Sequence, residues 1–487
     1  MAEQFDVLII GAGLSGIGAA WRLQQQRPGT RYAILEARDA IGGTWDLFRY
    51  PGVRSDSDMF TLSYPFRPWR GAESMASGDH IRQYIEETAA EAGIAPHIRF
   101  GAKVVSADWS AADARWTLRT AGGEELSCSF VYACAGYYRY DEGYQPGFPG
   151  LDSFGGQLIH PQFWPADLSY AGQRVVVIGS GATAVTLVPA MAPEAAHVTM
   201  LQRSPTYMTV LPRRDAIADA VRRVLPAKPA NRLLRAKNVL LSQGFYQLAR
   251  RRPQTVRRLL RGVAVRSLGD EAYVDQHFKP RYEPWDQRLC VIPGGDLYAA
   301  IKSGKASVVT DRIAAFEPAG IRLESGALLP ADIVVSATGL SLIPVGGVQV
   351  SLDGTPVEIA EHAAYRGLML SGVPNLAYCI GYTNASWTLR ADLSSRYVCR
   401  LLAYMDRHGY AVATPTNPGA QGRPLLDLTS GYVQRALEKF PYQGDRDPWL
   451  VRQNYLRDAL ITPRADVTRD MTFTRRAAAP RLEEIAS

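Results

Sequence analysis

The stretch Phe5–Gln25, FDVLIIGAGLSGIGAAWRLQQ, decides the fold. It reads as a short apolar strand, a turn Gly11-x-Gly13-x-x-Gly16 with Ser15 inside it, and an Ala-rich helix. Gly11 permits the tight turn, Gly13 lets the backbone approach a pyrophosphate, and Gly16 lets helix and strand pack closely. The helix start offers free N–H groups to an anion. A second strand, RYAILE, follows and ends in Glu36, an acid suited to the adenosine ribose hydroxyls. Strand, turn, helix, strand and acid in register predict a dinucleotide-binding unit, but Glu36 alone does not separate NAD from FAD.

The pattern returns at Arg174–Ala192, RVVVIGSGATAVTLVPAMA, as Gly179-Ser180-Gly181-Ala182-Thr183-Ala184. Alanine in the third glycine's place suits a nicotinamide dinucleotide. The next strand, HVTMLQRSPTY, ends in Gln202-Arg203 where the first cradle has its acid. A carboxylate repels a 2′-phosphate and a guanidinium pairs with it, so this cradle is expected to prefer NADPH to NADH. The expected fold class is α/β with two Rossmann-like dinucleotide-binding domains.

Composition sets the bounds. A chain of 487 residues, at about 150 per domain, forms about three domains. An apolar share of 47% and a charged share of 21% describe a soluble globular protein. The N-terminus MAEQFDVLII lacks the basic region of a secretory signal, so a cytoplasmic location is expected. Five scattered cysteines without a CxxC pair argue for reduced thiols and against a metal site. No cysteine pair is expected near the first cradle, which argues against a disulfide reductase. The uncharged run Val175–Pro193 reads as strand, turn and helix rather than a membrane span.

The net charge of +7 is unevenly spread: Arg222–Arg266 holds thirteen Lys or Arg and no acid, with Leu and Val interleaved at helical spacing. This reads as a mainly helical basic insertion. Its basic face is a solvated surface, a steering field for an anionic dinucleotide or a weak peripheral membrane contact. No nucleic-acid motif accompanies it.

Further motifs carry a family resemblance. Ile41–Met59, IGGTWDLFRYPGVRSDSDM, has a GGTW turn and a YPGxRxD loop. Phe154-x-Gly156-x-x-x-His160-x-x-x-Trp164-Pro165 lies between the cradles, and PWDQRLC, SATGL and GYTNASWTL follow later. Together they resemble class B flavoprotein monooxygenases of the Baeyer–Villiger type, and within them the mycobacterial ethionamide-activating branch. The resemblance implies FAD in the first cradle, with Gly43, Thr44, Trp45, Asp46, Leu47 and Val104 beside it. It implies NADPH in the second cradle, with Arg54, Ser55 and Asp56 at the junction.

Arg288 aligns with the family's active-site arginine, Asp56 would orient it, and Asp58 is its bystander. Family members usually carry Lys before that Arg; here Gln287 stands there, leaving Arg203 more of the NADPH preference. His160 is expected to couple the domains through backbone hydrogen bonds, a packing histidine being the alternative. The implied chemistry is hydride transfer from NADPH to FAD, O2 addition as a C4a-peroxyflavin, and conversion of a small apolar ketone to an ester or lactone. Oxygenation of sulfides or thioamides accompanies it. Nitrogen- or sulfur-oxygenation without ketone activity, and a flavin redox sensor without turnover, are the rival readings. Trp387 and Tyr382 face substrate or belong to the core.

Motif order predicts a discontinuous FAD domain (1–148 and 340–487, ending in a loose tail from Met471) around an NADP domain (149–212 and 286–339). The helical insertion occupies 213–285.

Overall fold

The computed structural model describes residues 3–419 and 421–475. The first sheet is built from β1 (Glu3–Ile10), β2 (Tyr32–Leu35), β3 (Ile98–Arg99), β4 (Val104–Ser110), β5 (Arg115–Thr120) and β6 (Glu125–Ala133). Its parallel part runs in the order β3-β2-β1-β6, and β4 and β5 extend it antiparallel from β6. Val7–Ile10 are all buried because both faces of the sheet are covered, the condition of a parallel strand. Helix α1 (Leu14–Gln26) returns from β1 to β2 and buries Ile17, Ala20 and Leu23.

A second sheet repeats the plan with β7 (Gln157–Ile159), β8 (Arg174–Ile178), β9 (His197–Gln202), β10 (Ala306–Thr310) and β11 (Ile333–Ser336). Its order is β10-β9-β8-β11-β7, parallel throughout. Helix α2 (Ala182–Met191) follows β8, so the uncharged run is strand, turn and helix. Among the described residues no helix is long and apolar enough to cross a membrane.

Between β9 and the short helix Asp296–Lys302 that precedes β10, the described residues form four helices: α3 (Ala216–Val224), α4 (Ala227–Arg251), α5 (Pro253–Leu268) and α6 (Glu271–His277). They also lean on the first domain. Leu234 shares a small core with Phe60 and Ala218, and Arg235 donates to the carbonyls of Phe60 (3.1 Å) and Ser63 (2.9 Å).

The chain then re-enters the first sheet. β12 (Gln349–Leu352) pairs with β4, and β13 (Leu376–Tyr378) pairs in parallel with the end of β6. Helix α7 (Trp387–His408) joins the core that α1 covers. The expected tail from Met471 needs correction. Met471–Thr474 is a strand paired with Val412–Pro415, its Met471 buried, and the rest of that stretch, from 476, lies outside the described residues.

Candidate active site

Both cradles open on one cleft of about 1330 Å³, above the roughly 300–1,000 Å³ usual for a single small-molecule site. The glycines are required where they stand. Gly11 has φ +100°, and a Cβ on Gly16 would lie 1.8 Å from the Gly11 carbonyl oxygen. Gly179 has φ +135°, and its Cβ would lie 2.3 Å from the Ala337 carbonyl oxygen. Helices α1 and α2 start from Gly13 and Gly181, neither with a side-chain cap, and both starts line the cleft. Uncapped first-turn N–H groups beside an open cleft suit two pyrophosphates.

Ser15, Glu36, Gly43, Thr44, Trp45 and Val104 line the first half of the cleft. Glu36 is buried and accepts from the backbone N–H of Ala12 at 2.6 Å and of Arg38 at 3.0 Å. Burial raises its pKa above the ordinary carboxylate value, while those N–H groups and the Arg38 charge act the other way. Asp46 and Leu47 do not line the cleft: Asp46 is buried and ion-paired to Arg38 (2.7 Å) and Arg49, and Leu47 sits in a core beside Phe48. Gly16 lies in the helix–strand contact, not at the cleft wall.

The second half is lined by Gly179, Ser180, Gly181, Ala182, Thr183 and Arg203. Arg203 is exposed on the rim. Its neighbour Gln202 is 1% exposed, and its amide donates to the His277 carbonyl (2.7 Å) and the Thr310 hydroxyl (2.9 Å). Gln202 thus braces the strand from behind. Ala184 is fully buried between α2 and the sheet.

The junction gathers the charges. Arg288 Nη2 lies 3.0 Å from Asp56 Oδ1, and both residues line the cleft. The Asp56 carboxylate holds the guanidinium above even its usual range; burial opposes this, and Tyr137, Tyr432 and Tyr138 add to it. Asp58, two residues on, points elsewhere, accepting from the Thr61 N–H as the N-cap of a short helix. Arg54 lines the cleft with its guanidinium held by Asp296, which also takes Arg213 at 2.9 Å. Ser55 donates to the Ser57 carbonyl at 2.8 Å. Trp387 lines the same space and donates to Ser15 Oγ at 2.7 Å, with the Tyr137 ring tilted against its own at 5.1 Å between centroids. Tyr382 also lines it, its hydroxyl donating to Asp458 at 2.6 Å.

The fingerprint residues stand behind the cleft. Phe154 meets Phe316 edge-on at 5.6 Å, and a Cβ on Gly156 would lie 2.4 Å from the Asp332 carbonyl oxygen. Trp164 packs on the core of the second domain. His160 Nδ1 accepts from the Gln162 N–H at 3.2 Å, and Gln162 donates to the carbonyls of Arg139 and Tyr140, each at 2.9 Å. Burial lowers the His160 pKa, while the backbone of Gly339 and Tyr144 raises it. The imidazole therefore sits between the two chain crossings that join the domains, which Thr338 also ties by donating to the Tyr144 carbonyl at 3.1 Å.

Sequence reasoning missed Tyr137, Tyr138 and Tyr432, which face Arg288, and Arg312, an exposed cation on the cleft near Arg203. No spacing links them to the site. The expectation of no cysteine pair near the first cradle is also corrected. Cys134 and Cys379 follow directly after the paired residues Ala133 and Tyr378, their side chains are in hydrogen-bond contact, and Cys134 lines the cleft. All five cysteines are free and buried.

Known proteins are similar to this chain in sequence and in fold. Residues 57–217 match the flavin-binding monooxygenase-like family, and residues 9–86 match the NAD(P)-binding Rossmann-like domain. The FAD-containing monooxygenase EthA of Mycobacterium tuberculosis is 52% identical over 485 residues, 98% of this chain and 99% of that protein. An oxidised steroid monooxygenase bound to NADP has the same fold, with TM-score 0.76, 23% identity, and 97% of this chain and 100% of that one covered. So has the cyclohexanone monooxygenase of Rhodococcus sp. Phi1 bound to NADP+, with TM-score 0.70, 22% identity, and 85% and 87% covered.

Proposed function

The chain belongs to the FAD-containing monooxygenases, and on that premise we propose that it uses NADPH and O2 to oxidise small apolar ketones to esters or lactones. Sulfides and thioamides are a second substrate class, taken by the same site. The observation that carries this reading is the Arg288–Asp56 pair at the meeting of the two cradles.

Bound in the first cradle, the flavin supplies hydride acceptance and oxygen activation; the residues supply position and charge. Glu36 and the α1 N–H groups hold the adenosine ribose and pyrophosphate of FAD. Gly179–Thr183 hold the pyrophosphate of NADPH, and Arg203 pairs with its 2′-phosphate. Arg288 is a fixed cation beside the place where negative charge grows on oxygen as it attacks a carbonyl. Asp56 orients that guanidinium and keeps the local charge near balance. Trp387 and Tyr137 wall this end with aromatic surface and keep water from the reacting atoms.

The test incubates the flavin-loaded protein with NADPH in air and either a ketone or a thioether series, and identifies products by mass. Ester or lactone carrying one oxygen atom from O2 supports the reading. Sulfoxide alone, with ketones untouched, replaces it by pure sulfur oxygenation. No substrate-dependent NADPH consumption replaces it by a flavin sensor.

A further inference from the structure

Helix α4 turns an apolar face to water. Leu233, Leu240, Leu241 and Leu248 stand seven, one and seven residues apart, a spacing that keeps them on one side of a 3.6-residue helix. They are 52%, 59%, 62% and 41% exposed. A helix of a globular protein normally buries such a stripe. The buried sides of α4 lie elsewhere: Leu234 packs on Phe60 and α3, and Val239 packs on Tyr382 and Leu389 of the first domain. The flanking helices do the same. On α3, Ile217 and Val224 are 59% and 81% exposed, and on α8 (Tyr455–Ile461), whose Tyr455 packs against the cluster of Val239, Tyr382 and Leu389, Leu460 is 64% exposed. Single exposed leucines are ordinary on a surface, but a row of four on one helix, with more exposed apolar residues on α3, which packs against it, and on α8, which packs on the same cluster as Val239, marks an interaction site.

The charges around the stripe say what covers it. Of the thirteen cations between Arg222 and Arg266, several are committed: Arg222 and Arg235 to backbone carbonyls, and Lys237, Arg250 and Arg261 to carboxylates. Arg223, Lys228, Arg232, Arg251 and Arg252 are exposed and form no ion pair among the described residues. They stand beside the start and the end of the leucine row. A second copy of the chain docked here by two-fold symmetry would set these cations against themselves with no acid in the segment to answer them. A nucleic acid would meet leucines where it needs cations.

We infer that α3, α4 and α8 form a docking face for the surface of an anionic lipid bilayer. The leucines enter the interfacial layer, and the free Lys and Arg side chains meet the head-group charge. Because Val239 backs onto Tyr382, which lines the cleft, docking sets the aromatic end of the cleft one helix away from the lipid.

The test is flotation of the full-length, flavin-loaded protein with vesicles of phosphatidylcholine alone or mixed with phosphatidylglycerol. The phosphatidylglycerol vesicles are expected to carry at least ~10-fold more protein, and added salt should lower this. Leu240→Gln with Leu241→Gln should cut the floated fraction ~10-fold or more, with flavin content and NADPH oxidation unchanged. Arg251→Gln with Arg252→Gln should weaken it in the charged vesicles only. Wild-type protein that stays at the bottom with both vesicle types overturns the inference. So does a leucine variant that floats like wild type. Dimerisation by light scattering that the leucine variant abolishes, without vesicle binding, hands the face to a second copy.

Discussion

In the first cradle the side chain that ends the second strand is built into the fold. Glu36 is buried and already holds the N–H of Ala12 inside the glycine turn. In the second cradle the same place is split in two. Gln202 turns inward to brace His277 and Thr310, and Arg203 stands exposed on the rim without an ion pair among the described residues. The third glycine position differs as well: Gly16 leaves no room for a Cβ, while Ala184 carries one in a fully packed core. One site is nearly complete before its ligand arrives; the other leaves an exposed cation, Arg203, on its rim. That is the arrangement expected of a resident flavin served by a nicotinamide cofactor that comes and goes.

The strongest way to break this comparison is at the junction, with Arg288→Ala. Both cradles stay intact, so the variant should remain yellow and its flavin reducible by NADPH. The lost cation should cost a factor of ~10²–10³ in oxygenation, about 3–4 kcal/mol. The oxygen consumed should appear as hydrogen peroxide, quantified beside the ester. Ester formation within threefold of wild type would reduce Arg288 to a bridge between domains.

Gly16→Ala sharpens the contrast in packing. The new Cβ would meet the Gly11 carbonyl oxygen at 1.8 Å, so α1 must lift off β1 at a cost of about 3 kcal/mol. Flavin content and the melting temperature should both fall. Ala184→Gly in the other cradle should cost only about 1 kcal/mol of helix propensity and leave the flavin bound. Equal losses in the two variants would show that the cradles do not differ as the close contacts require.

The cradles were legible because each is local: the glycines, the helix and the selecting side chain lie within some thirty residues. A return of the chain to the first domain was expected from motif order, and helices between the cradles from the spacing of Leu and Val among the cations; β12 and β13 do pair with the first sheet, and α3 to α6 lie in that stretch. Asp56 and Arg288 are 232 positions apart, and only a family resemblance put them in one site. Cys134 meets Cys379 because β13 returns beside β6, a pairing no local pattern announces. Gln202 and Arg203 are adjacent in sequence, yet the strand sends one side chain inward and its neighbour out, and cradle logic does not choose which is which. Asp46 and Leu47, expected beside the flavin, send their side chains to Arg38 and Arg49 and to the core around Phe48, while Thr44 and Trp45 of the same turn line the cleft.

Arg203→Ala tests the rim. Losing a charge-assisted contact to the 2′-phosphate should raise the NADPH KM by about 1.5–3 kcal/mol, roughly 10- to 150-fold, with little change for NADH. Steady-state kinetics with both cofactors decide it. A parallel loss with NADH would make Arg203 structural, and the nearby Arg312 would become the residue to vary next.

The smallest effect concerns what joins the two cradles. His160 lies between the crossings at Tyr144 and Gly339, and burial is the main cause of its lowered pKa. The unfolded chain keeps the ordinary histidine value of about 6.5, so below that pH it binds a proton that the folded imidazole resists. The contribution is therefore fully present above about pH 6.5 and is lost as pH falls through the lower folded value. His277, also buried and lowered, pulls the same way from the second domain. The melting temperature measured between about pH 5 and pH 8 should drop on the acid side in wild type. It should drop less steeply in His160→Gln, with the His277 share remaining. If the imidazole's contacts couple the cradles, NADPH should also reduce the flavin of His160→Gln more slowly at pH 8, where protonation plays no part. A flatter melting profile with unchanged reduction would leave His160 as a packing residue. An unchanged profile with slower reduction would separate its coupling role from its titration.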